Sequence, residues 1–431
     1  MAEDSNFEVS TSQKAYICID LKSFYASVEC VERGLDPMTT KLVVADPERA
    51  QATICLAVSP AMKALGVSNR CRVFQIPKNI DYIMATPRMQ LYIDYAAEIY
   101  GVYLKYVAKE DIHVYSIDEV FMDVTDYLEM YKMTAKELGM QIMDDIHRTV
   151  GVVATCGIGT NLYLAKVALD IMAKHAPDRI GILDEDSYRK QLWNYTPLTD
   201  FWRVGAGTVR RLSAVGIYNM EQIAKADEGL LYQLFGIDAE LLIDHAWGRE
   251  TTTIADIKAY KSKHTSLGSG QVLPRDYGFS EGKLIVKEMA DLLSLDLVDK
   301  GLVTETIHLH VGYSNSINKP AAKGTISLSS ATNSAKAIVT ATESLYERIV
   351  DKTVPIRRAT LTFPQVVDEA YRQYDLFTDL EEEEREHKIQ MAVLDIKKKF
   401  GKNAILKGMN LEESATTRER NKQIGGHKSG E

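Results

Sequence analysis

Residues 111–125, DIHVYSIDEVFMDVT, set the adjacent acids Asp118 and Glu119 between two runs rich in β-branched and aromatic residues. That pattern predicts two strands of a hairpin with the acids at the bend. Upstream, AYICID at 15–20 reads as a short buried strand ending on a carboxylate, Asp20. A helix over 23–33 then opens at Ser23 and is closed by Gly34. A hard divalent cation needs several oxygen ligands converging from different backbone segments, and Asp20, Asp118 and Glu119 offer them. Two ions held this way can activate one oxygen nucleophile and stabilise the leaving oxygen of an in-line phosphoryl displacement. Acids at strand ends are also commonly just solvated, so spacing alone leaves both readings open.

Outward from these segments, apolar strand candidates lie at 41–45 and 52–58, and Ser59-Pro60 supplies an N-cap and first-turn proline for a helix ending at Gly66. A helix over 88–107, another near 134–148, the strand VVATCGI and a helix over 161–174 complete a mixed α/β unit. From about 191 to 255 the chain turns helical, with Gly205, Gly207, Gly216, Gly236 and Gly248 in short turns, which predicts a small separate domain. Residues 256–264 form a polar, basic connection, and an α+β domain follows to about 366. From 367 the chain is strongly charged, with an acidic run at Glu381–Glu384, a basic run at Lys397–Lys399 and an end, ATTRERNKQIGGHKSGE, too polar to build a core.

At 431 residues the chain is too long for one core, and 45 % apolar with 26 % charged residues is the make-up of an ordinary globular protein. No apolar run is long enough to cross a bilayer, and the first 14 residues lack the basic flank and apolar core of a signal peptide, so no membrane partner and a cytoplasmic location are expected. Cys18, Cys30, Cys55, Cys71 and Cys156 include no C-x-x-C pair, against both a zinc site and a disulfide framework. Cys18 and Cys156, in strand-like runs, read as buried small hydrophobes. The net charge of −9 argues against a nucleic-acid partner only weakly, because an acidic site and tail lower the total while a basic face survives elsewhere.

The words around the three acids are more specific. DLKSFYASVE at 20–29, YSIDEVFMDV at 115–124 and GIGTNLYLAK at 157–166 occur in the order found in Y-family DNA polymerases, and the resemblance covers nearly the whole chain. SFYASVECVERGLDP and TTRERNKQIGGHKS resemble the branch represented by the catalytic subunit of bacterial DNA polymerase V, in its Gram-positive form. The resemblance implies a right-hand polymerase: a ferredoxin-like palm over 14–190 with small fingers inserted at about 37–88, a helix-hairpin-helix thumb over 191–255, a linker over 256–264, a little finger over 265–366 and a clamp-binding, charged tail over 367–431, after a flexible N-terminus of residues 1–13.

It also implies roles, residue by residue. Asp20 and Asp118 would bind two magnesium ions, Glu119 would complete the site of the ion that activates the primer 3′-hydroxyl, and the Leu21 carbonyl would serve the nucleotide-bound ion. Tyr25 matches the steric gate that leaves no room for a 2′-hydroxyl, and Phe24 would pack beneath the nucleotide. Without the motif, two aromatics at the start of an amphipathic helix would read as core. Lys166 matches a lysine that reaches the triphosphate; its plain alternative is a solvated helix lysine. AVSPAMKALGV at 57–67 matches the finger region, with Pro60 and Lys63 where many relatives have Tyr and Arg. That departure removes the tyrosine contact and leaves Lys63 as the candidate phosphate ligand.

Further along, LTDFWRVGAGTVRRLSAVGIY at 198–218 resembles a helix-hairpin-helix whose Gly205 and Gly207 let backbone amides approach a DNA phosphate. Lys261 and Lys263, with Arg275, suit sequence-independent phosphate contacts in the little finger. Gln373, Leu376 and Phe377, in QYDLF, resemble the short peptide by which bacterial polymerases bind the sliding clamp. Primer-template DNA, deoxynucleoside triphosphates and the clamp are thus the implied partners, and error-prone translesion synthesis in an SOS-type damage response is the implied role. The charged runs after 378 read first as solvated disorder and alternatively as contacts for an accessory subunit or recombinase filament. A palm-type nucleotide cyclase has no use for the thumb-like turn or the clamp peptide, and a non-catalytic DNA- and clamp-binding scaffold has no use for the three acids.

Overall fold

Strand Tyr16–Leu21 is the centre of a five-stranded sheet ordered Ile112–Val114, Glu119–Asp123, Tyr16–Leu21, Ala154–Gly159, Ile180–Leu183. Its neighbours on both sides run antiparallel, and Asp20 pairs with Glu119 on one side and Thr155 on the other. The computed structural model describes residues 14–49, 53–262, 265–371 and 380–430; the chain divides into one unit reaching Tyr260 and another from Lys261 to Ser429.

Alternation along the strands sends side chains to two different layers. Cys156, Ile17 and Ile158 face helix Ala135–Val150, where a Cβ on Gly139 would stand 2.9 Å from the Cys156 sulfur. On the other face Tyr16, Cys18 and Phe121 pack with Leu162, Ala165 and Leu169. There the helix predicted over 161–174 starts at the Asn161 cap, runs as an α-helix over Leu162–Val167 and continues as a π-helical segment over Ala168–Ala173. Its backbone lies almost on the sheet. A Cβ on Gly157 would come 2.1 Å from the Ala165 carbonyl oxygen, and one on Gly159 2.2 Å from the Ala165 nitrogen.

Inserted after the first helix, Phe24–Val31, strands Leu42–Val44, Ala57–Val58 and Ile83–Ala85 form a small sheet over a core that includes Val43, Val58, Met62 and Ile76. Of the strand expected over 52–58, Ala57–Val58 joins the sheet, while Ile54 bridges to Arg72 and Cys55 donates its backbone N–H to the Cys71 carbonyl. Ser59 caps the short helix Pro60–Ala64, its hydroxyl accepting from the Met62 amide.

The helical stretch after 191 falls within the unit that reaches Tyr260. Phe201, Leu212, Ile223, Leu231 and Ala246 share one apolar cluster with Tyr163, Leu164 and Tyr188. Polar bonds close the same seam, with Asn161 donating to the Gly248 carbonyl at 2.9 Å and Trp193 to Ala246 at 2.8 Å. The first residues of the connection expected from 256 are helical. Helix Ile254–Ala259 buries Ile254, and Lys258 donates to the Glu110 carbonyl at 2.8 Å.

In the second unit an antiparallel sheet ordered Ala322–Thr332, Leu302–Tyr313, Ile356–Pro364, Ser266–Tyr277 carries helices Phe279–Asp299 and Ala335–Ile349 over a continuous apolar core. The charged tail, expected as solvated disorder, is built instead: helix Leu380–Phe400 and the segment after it dock through polar anchors. Glu288, 1 % exposed on the long helix, accepts from the Asn410 amide and the Thr416 backbone, both at 2.8 Å, and Gln390 donates to Asn333 at 3.1 Å. A segment with few apolar residues thus stays folded by satisfying buried polar groups.

Candidate active site

The hairpin brings the three carboxylates to one end of the sheet. Leu21 donates its backbone N–H to the Asp118 carbonyl at 2.9 Å, which ties the end of the central strand to the bend, and the Asp20–Glu119 pairing puts both side chains on the face of the π-helical segment. Leu21 itself, at the strand end, pairs with Ala154. Burial, with Asp118 and Glu119 nearby, pushes the Asp20 carboxyl up to about 7 despite Lys174. Burial likewise raises Glu119. Such a concentration of partly desolvated negative charge favours a bound cation.

In the structure lysines supply that positive charge. Lys166, whose side chain is only 8 % exposed, sits 2.8 Å from Glu119 and 2.9 Å from Asp170. Lys174 lies 2.8 Å from Asp170 and 3.8 Å from Asp20. Cys18, buried as its strand predicts, also donates to Glu119 at 3.4 Å, and the Ser116 hydroxyl donates to Asp118 at 2.6 Å. With these partners in place, no three His, Cys, Asp or Glu side chains among the described residues converge closely enough to hold a metal ion. The donors nonetheless fit a hard divalent cation: all are carboxylate oxygens, and ammonium groups already stand against two of them.

Lys166 is therefore turned onto Glu119 and Asp170. Burial disfavours its charge, but Glu119 and Asp170 outweigh that and hold it firmly protonated. Lys174, 43 % exposed beside Asp20, is the lysine that sequence reasoning passes over. Its i,i+4 spacing from Asp170 is the available signal.

Ser23 adopts a left-handed conformation (φ 51°) at the start of helix Phe24–Val31. Lys63 donates to its hydroxyl at 2.9 Å, and Pro60 stands at the start of helix Pro60–Ala64. Phe24 is buried, and Tyr25 stacks on Tyr92 with ring centroids 4.5 Å apart. The Tyr92 hydroxyl donates to Glu29 at 2.8 Å, and Arg88 clamps the same fully buried carboxylate with two bonds of 2.9 Å. Tyr92 and the Glu29–Arg88 pair escape a reading of the sequence, since they meet across a separation of about sixty residues.

Gly205 caps helix Ala206–Ser213 and Gly207 lies in its first turn; a Cβ on either would meet nothing within 4 Å. In the second unit Arg275 lies over Tyr277 and pairs with Glu281 at 2.6 Å, so its guanidinium already has a partner, and Lys261 is exposed. Lys263, Gln373, Leu376 and Phe377 lie outside the described residues. Among the described residues no helix is long and apolar enough to cross a membrane.

Comparison with known proteins adds to this geometry. Residues 19–170 match the impB/mucB/samB family and residues 264–376 its C-terminal domain. The chain is 31 % identical over 420 residues to a Bacillus subtilis (strain 168) protein named for UV-damage repair, UvrX, covering 97 % of this chain and 98 % of that one. It is 28 % identical over 418 residues to DNA polymerase IV 2 of the same organism, covering 96 % and 99 %. In fold it is similar to a Y-family DNA polymerase chimera of Dbh and Dpo4, with a TM-score of 0.64 and 19 % identity, over 82 % of this chain and 99 % of that one.

Proposed function

The chain belongs to the impB/mucB/samB family, the Y-family DNA polymerases, and from that premise we propose that it copies damaged template DNA by two-magnesium nucleotidyl transfer. Membership makes it a DNA-directed DNA polymerase, with template DNA and deoxynucleoside triphosphates as substrates. The observation that carries the two-ion reading is the register that sets Asp20 against Glu119, with Asp118 at the adjoining bend and the Asp20 carboxyl pushed up to about 7.

Asp20, Asp118 and Glu119 would hold the ions, with the Leu21 carbonyl serving the nucleotide-bound one. When bound, the ions favour the primer 3′-alkoxide and offset charge on the triphosphate and departing pyrophosphate. The protein's own groups then bind, orient and exclude. Tyr25, braced by Tyr92, closes the space a 2′-hydroxyl would need, and Phe24 supports it from below. Lys63 and Lys174 offer ammonium groups to phosphate oxygens. Gly205 and Gly207, which the fold does not require to be glycine, leave backbone amides open to a DNA phosphate. Lys261 and Lys263 would add contacts from the second unit; Arg275 would have to exchange Glu281 for phosphate.

In domain terms we read palm and fingers to about 190, thumb to about 255, little finger to about 366 and a tail beyond it. The DNA polymerase V-like branch, an SOS-type role, the clamp peptide Gln373–Phe377 and an accessory or recombinase partner rest on the sequence phrases alone. The damage-repair name of the Bacillus subtilis relative supports synthesis on damaged templates. Primer extension on undamaged and lesion-bearing templates, with and without clamp, tests the reading. A cyclase would act without primer, and a scaffold would not extend one; either result would replace the proposal.

A further inference from the structure

Asp170 is the one carboxylate at the site that touches both lysines. It sits in the π-helical segment between them, 2.9 Å from Lys166 and 2.8 Å from Lys174, with its side chain 21 % exposed. An α-helix turns by about 40° more than one revolution in four residues, so Lys166, Asp170 and Lys174 at successive i,i+4 steps would drift around it. The switch from α to wider π turns after Val167 counters that drift and stacks all three over the carboxylates. Close packing fixes the segment in place. A Cβ on Gly181 would lie 2.3 Å from the Ala168 carbonyl oxygen, and one on Gly157 2.4 Å from the Leu169 nitrogen.

We infer that Asp170 is a positioning residue that serves as the shared counter-anion for Lys166 and Lys174, holding both ammonium groups when Glu119 and Asp20 turn to metal ions. This rests on the two-ion reading of the site. Lys166 bridges Glu119 and Asp170, so it can release Glu119 without being left as a buried, unpaired charge. Lys174 can leave Asp20 in the same way, and being more exposed it is then free to meet the triphosphate. Without Asp170, Lys166 would have only Glu119, and would compete with the ion for it.

The test is binding of Mn²⁺ alone to the full chain, read by electron paramagnetic resonance, together with the Mg²⁺ dependence of primer extension. Asp170→Asn should weaken Mn²⁺ binding and raise half-saturating Mg²⁺ by about tenfold, the scale of groups that support metal ligands. Adding Lys166→Met to Asp170→Asn should restore both, a rescue that simple structural damage would not give. Lys166→Met alone should bind Mn²⁺ at least as tightly as wild type, which keeps the test decisive should Asp170→Asn fail to fold. Unchanged binding in Asp170→Asn, no rescue in the double variant, or weakened binding in Lys166→Met would overturn the inference. Asp118→Asn run alongside separates the two levels: if it too binds Mn²⁺ as wild type does, the two-ion reading itself fails.

Discussion

The ring of Tyr25 lies on that of Tyr92, with centroids 4.5 Å apart and planes inclined by 16°, and the Tyr92 hydroxyl is fixed by the fully buried Glu29. The Tyr25 ring is thereby stacked on a partner from the helix Met89–Tyr103. The proposed exclusion of a 2′-hydroxyl depends on such rigidity, because a ring free to rotate would admit the larger sugar.

Tyr25→Ala is accordingly expected to raise ribonucleotide incorporation, relative to deoxynucleotide, by roughly a hundredfold, the scale on which a shaped pocket discriminates. Tyr92→Ala should shift the same ratio in the same direction by less. Single-nucleotide insertion with paired ribo- and deoxyribonucleotides measures both, and an unchanged ratio in Tyr25→Ala rules out the gate.

The glycines divide into two kinds. Gly157→Ala and Gly159→Ala push a methyl group into the backbone of the helix above and should destabilise the fold by roughly 3 kcal/mol or more, seen as a lower Tm. Gly205→Ala has open space and should leave stability within about 0.5 kcal/mol while weakening DNA binding. Unaltered DNA affinity in Gly205→Ala would remove the phosphate-approach role.

Acid should loosen the seam around His245. Glu250 accepts from the Thr252 amide at 2.8 Å and stands 3.1 Å from the His245 ring; although burial opposes its charge, these bonds hold its carboxyl down at about 2. Its unfolded value is about 4.3, so the stabilisation is present above that pH and is lost as pH falls toward 2. The size is on the order of 3 kcal/mol. Glu250→Gln should lower Tm at pH 7 and flatten its fall between about pH 4 and 2; an acid-unfolding curve identical to wild type would contradict this.

How far the sequence reaches depends on separation along the chain. Strand, hairpin and cap signals are local, so the residues themselves place Asp20, Asp118 and Glu119 at strand ends and Ser59 at a helix start. Lys166 cannot be oriented in the same way. Whether a helix lysine faces solvent or a buried acid depends on the pairing of Glu119 with the central strand and on a π-helical segment that periodicity does not reveal. The Glu29–Arg88–Tyr92 network is likewise a long-range contact. The tail defeats composition, which counts apolar residues, while Asn410, Thr416 and Gln390 anchor it through hydrogen bonds to buried polar groups.

Asp118 and its neighbours form the proposed chemical centre. Extension of a primer by one nucleotide, measured for Asp118→Asn beside wild type with DNA affinity determined on the same preparations, tests it most directly. The expected result is a loss of extension of roughly a thousandfold or more, with DNA affinity at the wild-type value. Extension at the wild-type rate by Asp118→Asn would contradict it.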